Sequence, residues 1–197
     1  MKEGFCSQIL NIYPNKTDCV DKLSDELIYI YDCENEKKTI FTSELLAESD
    51  KSFKIINENK TEVIHICIDG GLIEKGKDYV GDGKSHGRFD CMLLDNNKLL
   101  LLELKMNVIS FSSNTLYKRF YEGMEQIQEC YLYFKGKFIE LGDDVNNYFD
   151  NGNIISVIGF KEDVKKRIRR NTQLDTKRER FRINTGIKID IGSEYKF

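Results

Sequence analysis

The stretch GRFDCMLLDNNKLLLLELKM, Gly87 to Met106, runs four leucines, Leu99 to Leu102, straight into Glu103 and Lys105, and it places Asp90 thirteen positions before that glutamate. A short continuous apolar run bounded by turn residues reads as a buried strand. DNN is turn chemistry, because asparagine tolerates the left-handed conformations that tight hairpins require. With Asn96 and Asn97 as a two-residue loop, Asp95 faces Lys98, Leu94 faces Leu99, Leu93 faces Leu100, Met92 faces Leu101 and Cys91 faces Leu102. Asp90 then stands opposite Glu103, with Cβ atoms about 4.5–5.5 Å apart, and Lys105 projects from the same face two residues on. A three-residue loop would shift the register by one and make the carboxylates diagonal neighbours. Apolar residues on both faces mark both strands as interior.

Two adjacent carboxylates repel. A lysine relieves the conflict in part, and a divalent cation relieves it further. A hard cation such as Mg²⁺ takes oxygen ligands, usually one or two carboxylates with waters and substrate phosphates. Asp90 and Glu103 are the candidate ligands, and the Leu104 backbone carbonyl is a nearby third oxygen. Such a cation polarises a phosphoryl oxygen and acidifies bound water, while Lys105 would orient that water or stabilise transition-state charge. The competing reading is a structural ion pair at a strand end.

The whole chain sets the frame. Its 197 residues suit one domain with a sizeable core. Forty per cent hydrophobic and 32% charged residues describe a globular rather than a disordered protein. No apolar stretch approaches the roughly 18 residues of a membrane helix, and the start, MKEGFCSQIL, does not read as a signal peptide. Six cysteines without CxxC or Cys/His ligand spacing are expected to be reduced core thiols in a cytoplasmic protein. The net charge of −3 conceals an asymmetry: Met1 to Asp50 carries 11 acids against 5 bases, and Lys161 to Arg182 carries 10 bases against 4 acids. That basic segment is a candidate phosphate-binding footprint, with Lys165, Arg167, Arg169 and Arg170 at its centre; a solvated helix face is the alternative.

The organisation is α/β. DELIYIYDC and KKTIF read as a hairpin around ENE. Leu45, Ser49, Phe53 and Ile56 form a helical stripe, capped by Thr42 or Ser43. EVIHICIDGG is a strand ending in paired glycines, and EKGKDYVGDGKSHG is a loop. The strands of the opening hairpin follow. NTLYKRFYEGMEQIQECYLYF is the longest helix candidate despite Gly123, NIISVIGF is another strand, and RFRINTGIKIDIG reads as a hairpin turning at Asn184 to Gly186. No repeat or Pro/Gly/Ser linker divides the chain.

Asp90, Glu103 and Lys105 match the D…ExK signature of the PD-(D/E)XK nuclease superfamily, on the two strands where that superfamily carries it. The order helix, three strands, helix, strand resembles its restriction-endonuclease-like αβββαβ core, a central mixed sheet flanked by helices. The similarity covers about residues 42–160, leaving an N-terminal β extension at 1–41 and a basic C-terminal extension at 161–197. Phe89 stands where the motif's name has proline. The resemblance implies an Mg²⁺-dependent nuclease, with Mn²⁺ as a substitute, hydrolysing phosphodiester bonds of DNA more than RNA. Repair, restriction or phage defence would be its setting. Asp90 and Glu103 would hold the metal and Lys105 would complete the catalytic set. It further implies a metal-proximal glutamate on the first core helix, for which Glu48 is chosen over Glu44. A glutamine and a tyrosine on the next helix are also implied; Gln126, Gln128 and Tyr131 are similar to that pattern without its spacing, and Gln126 is the candidate.

Arg88 and His86 flank the motif, so either could meet a scissile phosphate. His65, inside VIHIC, reads as a strand histidine. Neither histidine belongs to a nucleophile motif, and GDGKSHG lacks phosphate-loop spacing. The expectation is a nuclease whose partner is nucleic acid and not a membrane, with a homodimer or partner subunit left open. A non-catalytic nucleic-acid-binding module and a protein-interaction module of the same fold are the alternatives.

Overall fold

The computed structural model of the protein describes the chain outside residues 1, 34, 35, 37, 47–50, 75, 109–111 and 165–171. Helix α1 (Lys2–Ile12) leads to β1 (Val20–Leu23), β2 (Leu27–Cys33), β3 (Lys38–Thr42), β4 (Phe53–Ile56), β5 (Val63–Cys67), β6 (Cys91–Leu94) and β7 (Leu99–Leu104). Helix α2 (Ser113–Glu140), β8 (Ile154–Gly159), α3 (Thr172–Thr185), β9 (Lys188–Gly192) and β10 (Glu194–Lys196) follow. Two mixed sheets form, ordered β1-β5-β6-β7-β8-β9 and β10-β4-β2-β3. Strands β5, β6 and β7 are an antiparallel meander, and β8 and β9 add to β7 in parallel.

The four leucines are explained by what lies on each side of them. Leu99 and Leu101 pack with Phe120, Ile127 and Phe134 of α2, Phe5 and Ile9 of α1, and Leu174 and Phe181 of α3. Leu100 and Leu102 pack with Ile28, Ile30, Phe53 and Ile55 of the second sheet. A strand buried on both faces has no polar alternation to show. Helices therefore cover one face of the large sheet and the four-stranded sheet covers the other.

The hairpin has the register derived above, with Cys91, Met92, Leu93 and Leu94 opposite Leu102, Leu101, Leu100 and Leu99. The turn chemistry differs: neither Asn96 nor Asn97 is left-handed. Instead Asp95 Oδ1 accepts from the N–H groups of Asn97 (2.8 Å) and Lys98 (2.7 Å), and Asp95 N donates to Lys98 O. The aspartate, not the asparagines, closes the loop.

Three expected elements are corrected. The helical stripe at Leu45/Ser49/Phe53/Ile56 does not form, because Phe53–Ile56 is a strand paired with β2 and β10. The N-terminal β extension begins with a helix, α1, burying Phe5, Cys6 and Ile9. The C-terminal hairpin is α3 followed by β9: Gly186, at φ 79°, is the left-handed stop just past α3, and its N–H donates to Arg182 O at 2.8 Å. Thus the large sheet reaches well past both ends of the 42–160 span. Among the described residues no helix is long and apolar enough to cross a membrane.

The paired glycines after β5 have separate reasons. Gly70 takes φ 80°, and a Cβ on Gly71 would lie 2.4 Å from Cys67 O. The turn folds back on its strand, Leu72 N donating to Cys67 O and Ile73 N to Ile68 O, both at 3.0 Å. Gly71→Ala should therefore destabilise the fold by about 1–3 kcal/mol, the usual range of overpacking. A chemical-denaturation midpoint equal to the wild type's would refute that close approach.

Candidate active site

The β6–β7 ladder stops at Cys91 and Leu102, and Asp90 makes the ending. Its N–H donates to Leu102 O at 3.1 Å, and its Oδ2 accepts from Leu104 N at 2.5 Å. Its carbonyl accepts from Ile68 N at 2.9 Å and, more loosely, from Asp69 N at 3.3 Å. Asp90 is thus fixed to both neighbouring strands. Leu104, whose carbonyl was the expected third oxygen, is the buried last residue of β7.

Glu103 is only 2% exposed and faces α2. Gly123 makes that possible: a Cβ there would sit 3.1 Å from Ile158 Cδ1 and 3.3 Å from Glu103 Cγ. An interior glycine costs a helix about 1 kcal/mol, and here it admits a carboxylate. Glu103 Oε1 accepts from Lys105 Nζ at 2.5 Å. Glu103 Oε2 has no hydrogen-bond partner among the described residues. Lys105 Nζ also donates to Gln126 Oε1 at 2.8 Å, and Gln126 Nε2 donates to Arg88 O at 3.0 Å. The structure therefore joins Glu103, Lys105 and Gln126, with Asp90 alongside.

Burial dominates the electrostatics. It pushes the Asp90 carboxyl up to about 7, opposed by the hydrogen bond from Leu104 and reinforced by the charges of Asp32 and Asp69. It also raises Glu103 well above the ordinary carboxylate range, with Asp90 adding to the rise and Lys105 opposing it. Carboxyl groups raised this way, beside a lysine, are a recurrent mark of functional sites.

Asp69 is the residue that sequence reasoning missed. Placed by the glycine turn after β5, it accepts from Arg88 Nε at 2.9 Å, and its negative charge is felt at both Asp90 and Glu103. The DGG following a buried strand was the available signal.

The other expected residues fall elsewhere. Glu48, Lys165, Arg167, Arg169 and Arg170 lie outside the described residues. Gln128 accepts from Asn184 at an exposed position, and Tyr131 is buried in the helical core. His65 is buried between Thr39 Oγ1 (2.9 Å) and Asp21 Oδ2 (3.3 Å), stacked on Phe41, in keeping with a strand histidine. All six cysteines are free thiols. His86 bonds Asp82 at 2.8 Å; with Asp78 these form the one described group of three side chains whose ligand atoms converge as a metal ion requires. That group lies on the loop before Arg88, and Asp78 already accepts from the N–H groups of Val80, Gly81 and Gly83. Comparison with protein-family models, with characterised proteins and with solved structures finds no match.

Proposed function

We propose that the protein is a metal-dependent phosphodiesterase acting on nucleic acid, DNA in preference to RNA, with Asp90, Glu103 and Lys105 as its catalytic set. The observation that carries this reading is Glu103: a deeply buried carboxylate with one oxygen on a lysine and the other without a partner among the described residues. An unpaired buried acceptor costs a fold about 1–3 kcal/mol, and a cation held there would offset that cost. A hard cation suits this oxygen, because the donors around it are carboxylates; Asp90 and Glu103 would hold it. When bound, Mg²⁺ would supply Lewis-acid polarisation of a phosphoryl oxygen and a more acidic water.

The chain's own groups do the remainder. Asp90 is held by main-chain bonds on both sides, so its carboxylate is aimed before any substrate arrives. Lys105 is steered by Glu103 and Gln126, and its ammonium would stabilise charge developing on a phosphoryl oxygen or orient a water. Gln126 is a positioning residue acting through Lys105. The antiparallel meander, α2, and a fourth strand parallel to β7 support the resemblance to the restriction-endonuclease-like core.

With Mg²⁺ or Mn²⁺ the purified protein should cleave single- or double-stranded DNA, and EDTA should abolish the cleavage. No product from DNA or RNA of either strandedness, with either metal, would sink this reading.

A further inference from the structure

Arg88 ties the two sides of this site together. Its guanidinium donates through Nε to Asp69 Oδ1 at 2.9 Å and through Nη1 to Lys77 O at 3.1 Å. Its carbonyl accepts from Gln126, the residue that holds Lys105. Asp69 in turn is placed by the turn that packs on Cys67 and by its N–H at Asp90 O. A circuit therefore runs from the Asp90 main chain through Asp69, Arg88 and Gln126 to Lys105. Both members of the ion pair are largely buried, the side chains 14% and 22% exposed. The Nη2 group has no hydrogen-bond partner among the described residues. Guanidinium is the side chain best matched to phosphate oxygens, because its donors form a planar fork.

We infer that Arg88, positioned by Asp69, is a phosphate clamp of this site, receiving a phosphodiester oxygen of the substrate strand through its uncommitted Nη2 edge. The inference rests on the phosphodiesterase reading. Asp69 is a positioning residue in it: the carboxylate holds the guanidinium through their ion pair and is not itself a metal ligand. Glu129 and Gln126 keep the neighbouring backbone in place, since Gly87 N donates to Glu129 Oε2 at 2.7 Å and a Cβ on Gly87 would meet the Gln126 backbone at 2.8 Å.

The test is a double-mutant cycle on Asp69→Asn and Arg88→Ala, read by binding of a fluorescein-labelled DNA oligonucleotide in Ca²⁺ and by cleavage in Mg²⁺. Each single variant should weaken DNA binding and raise KM about tenfold with kcat little changed, which corresponds to about 1.4 kcal/mol. In DNA binding the double variant should be no worse than Arg88→Ala, because Asp69 reaches the phosphate only through Arg88. Asp69→Glu should recover part of the loss. Mn²⁺ affinity, measured by titration calorimetry, should stay within about threefold of the wild type in Asp69→Asn. Additive losses, unchanged DNA binding, or a tenfold fall in Mn²⁺ affinity would each overturn the assignment. Binding without cleavage by the wild type defeats the phosphodiesterase reading and leaves the clamp to be judged by the binding cycle. No binding of the oligonucleotide at all overturns the clamp.

Discussion

Asp90→Asn should melt at a higher temperature than the wild type at pH 8 without metal, and should cleave nucleic acid at least about 10²-fold more slowly, the scale on which preorganised electrostatic groups act. The stability half follows from linkage. The Asp90 carboxyl titrates near 7 in the fold against an ordinary 3.8, so across that window the folded state keeps a proton that the unfolded chain releases. Stability is then present below about 4 and falls as pH rises toward 7. The displacement corresponds to at most about 4 kcal/mol. Asparagine keeps an oxygen for the Leu104 N–H and removes the charge. The wild type should therefore lose several degrees of Tm between pH 5 and 8, and Asp90→Asn should lose less. Mg²⁺ or Mn²⁺ should restore the wild type's Tm at pH 8 and leave the variant's nearly unmoved. A variant that melts lower than the wild type at pH 8 would make Asp90 a structural anchor and not an electrostatically strained ligand.

Lys105→Ala should show the opposite stability sign. Glu103 is buried and its only hydrogen-bond donor among the described residues is Lys105 Nζ. Removing the partner of a buried charge costs about 3–5 kcal/mol. Glu103 would meet the loss by holding its proton to still higher pH, so the destabilisation should be largest in alkaline buffer and shrink as pH falls toward 5. The turnover rate should drop about 10²–10³-fold, while Mn²⁺ affinity is kept within an order of magnitude because the oxygen donors remain. Calorimetric titration beside single-turnover kinetics separates the two quantities. Retained turnover in Lys105→Ala would remove the lysine from the chemistry.

The hairpin was legible from sequence because two local signals agree there: turn residues at DNN and apolar runs of matching length on each side. Its register then placed Asp90, Glu103 and Lys105. Where only one signal was available, reading erred. Leu45, Ser49, Phe53 and Ile56 fit a helical period, but Phe53 and Ile55 are the residues that β4 buries, at a period of two, and pairing with β2 decides between them. Gly186 looks alike as a hairpin turn and as a helix stop, and α3 buries little beyond Leu174 and Phe181, too sparse a stripe to announce a helix. Gln126 and Asp69 reach the site only through tertiary placement. Nothing in EQIQECY indicates which glutamine faces Lys105, and the closeness of Asp69 to Arg88 depends on the turn after β5 and on the 18 residues between them.

The Asp95-closed turn also bears on how the chain assembles. Strands β6 and β7 meet across only two intervening positions beyond the aspartate and lysine, so their contacts are local and lose little chain entropy in forming. The partners that desolvate Glu103 arrive from α2 and β8, much farther along the chain, and parallel pairing with β8 must wait for that crossover. The hairpin can thus form with its carboxylates still hydrated. The electrostatic penalty falls on the later event, when α2 closes over Glu103 at Gly123. A folding barrier placed there would be governed by the same charges that the mature site uses.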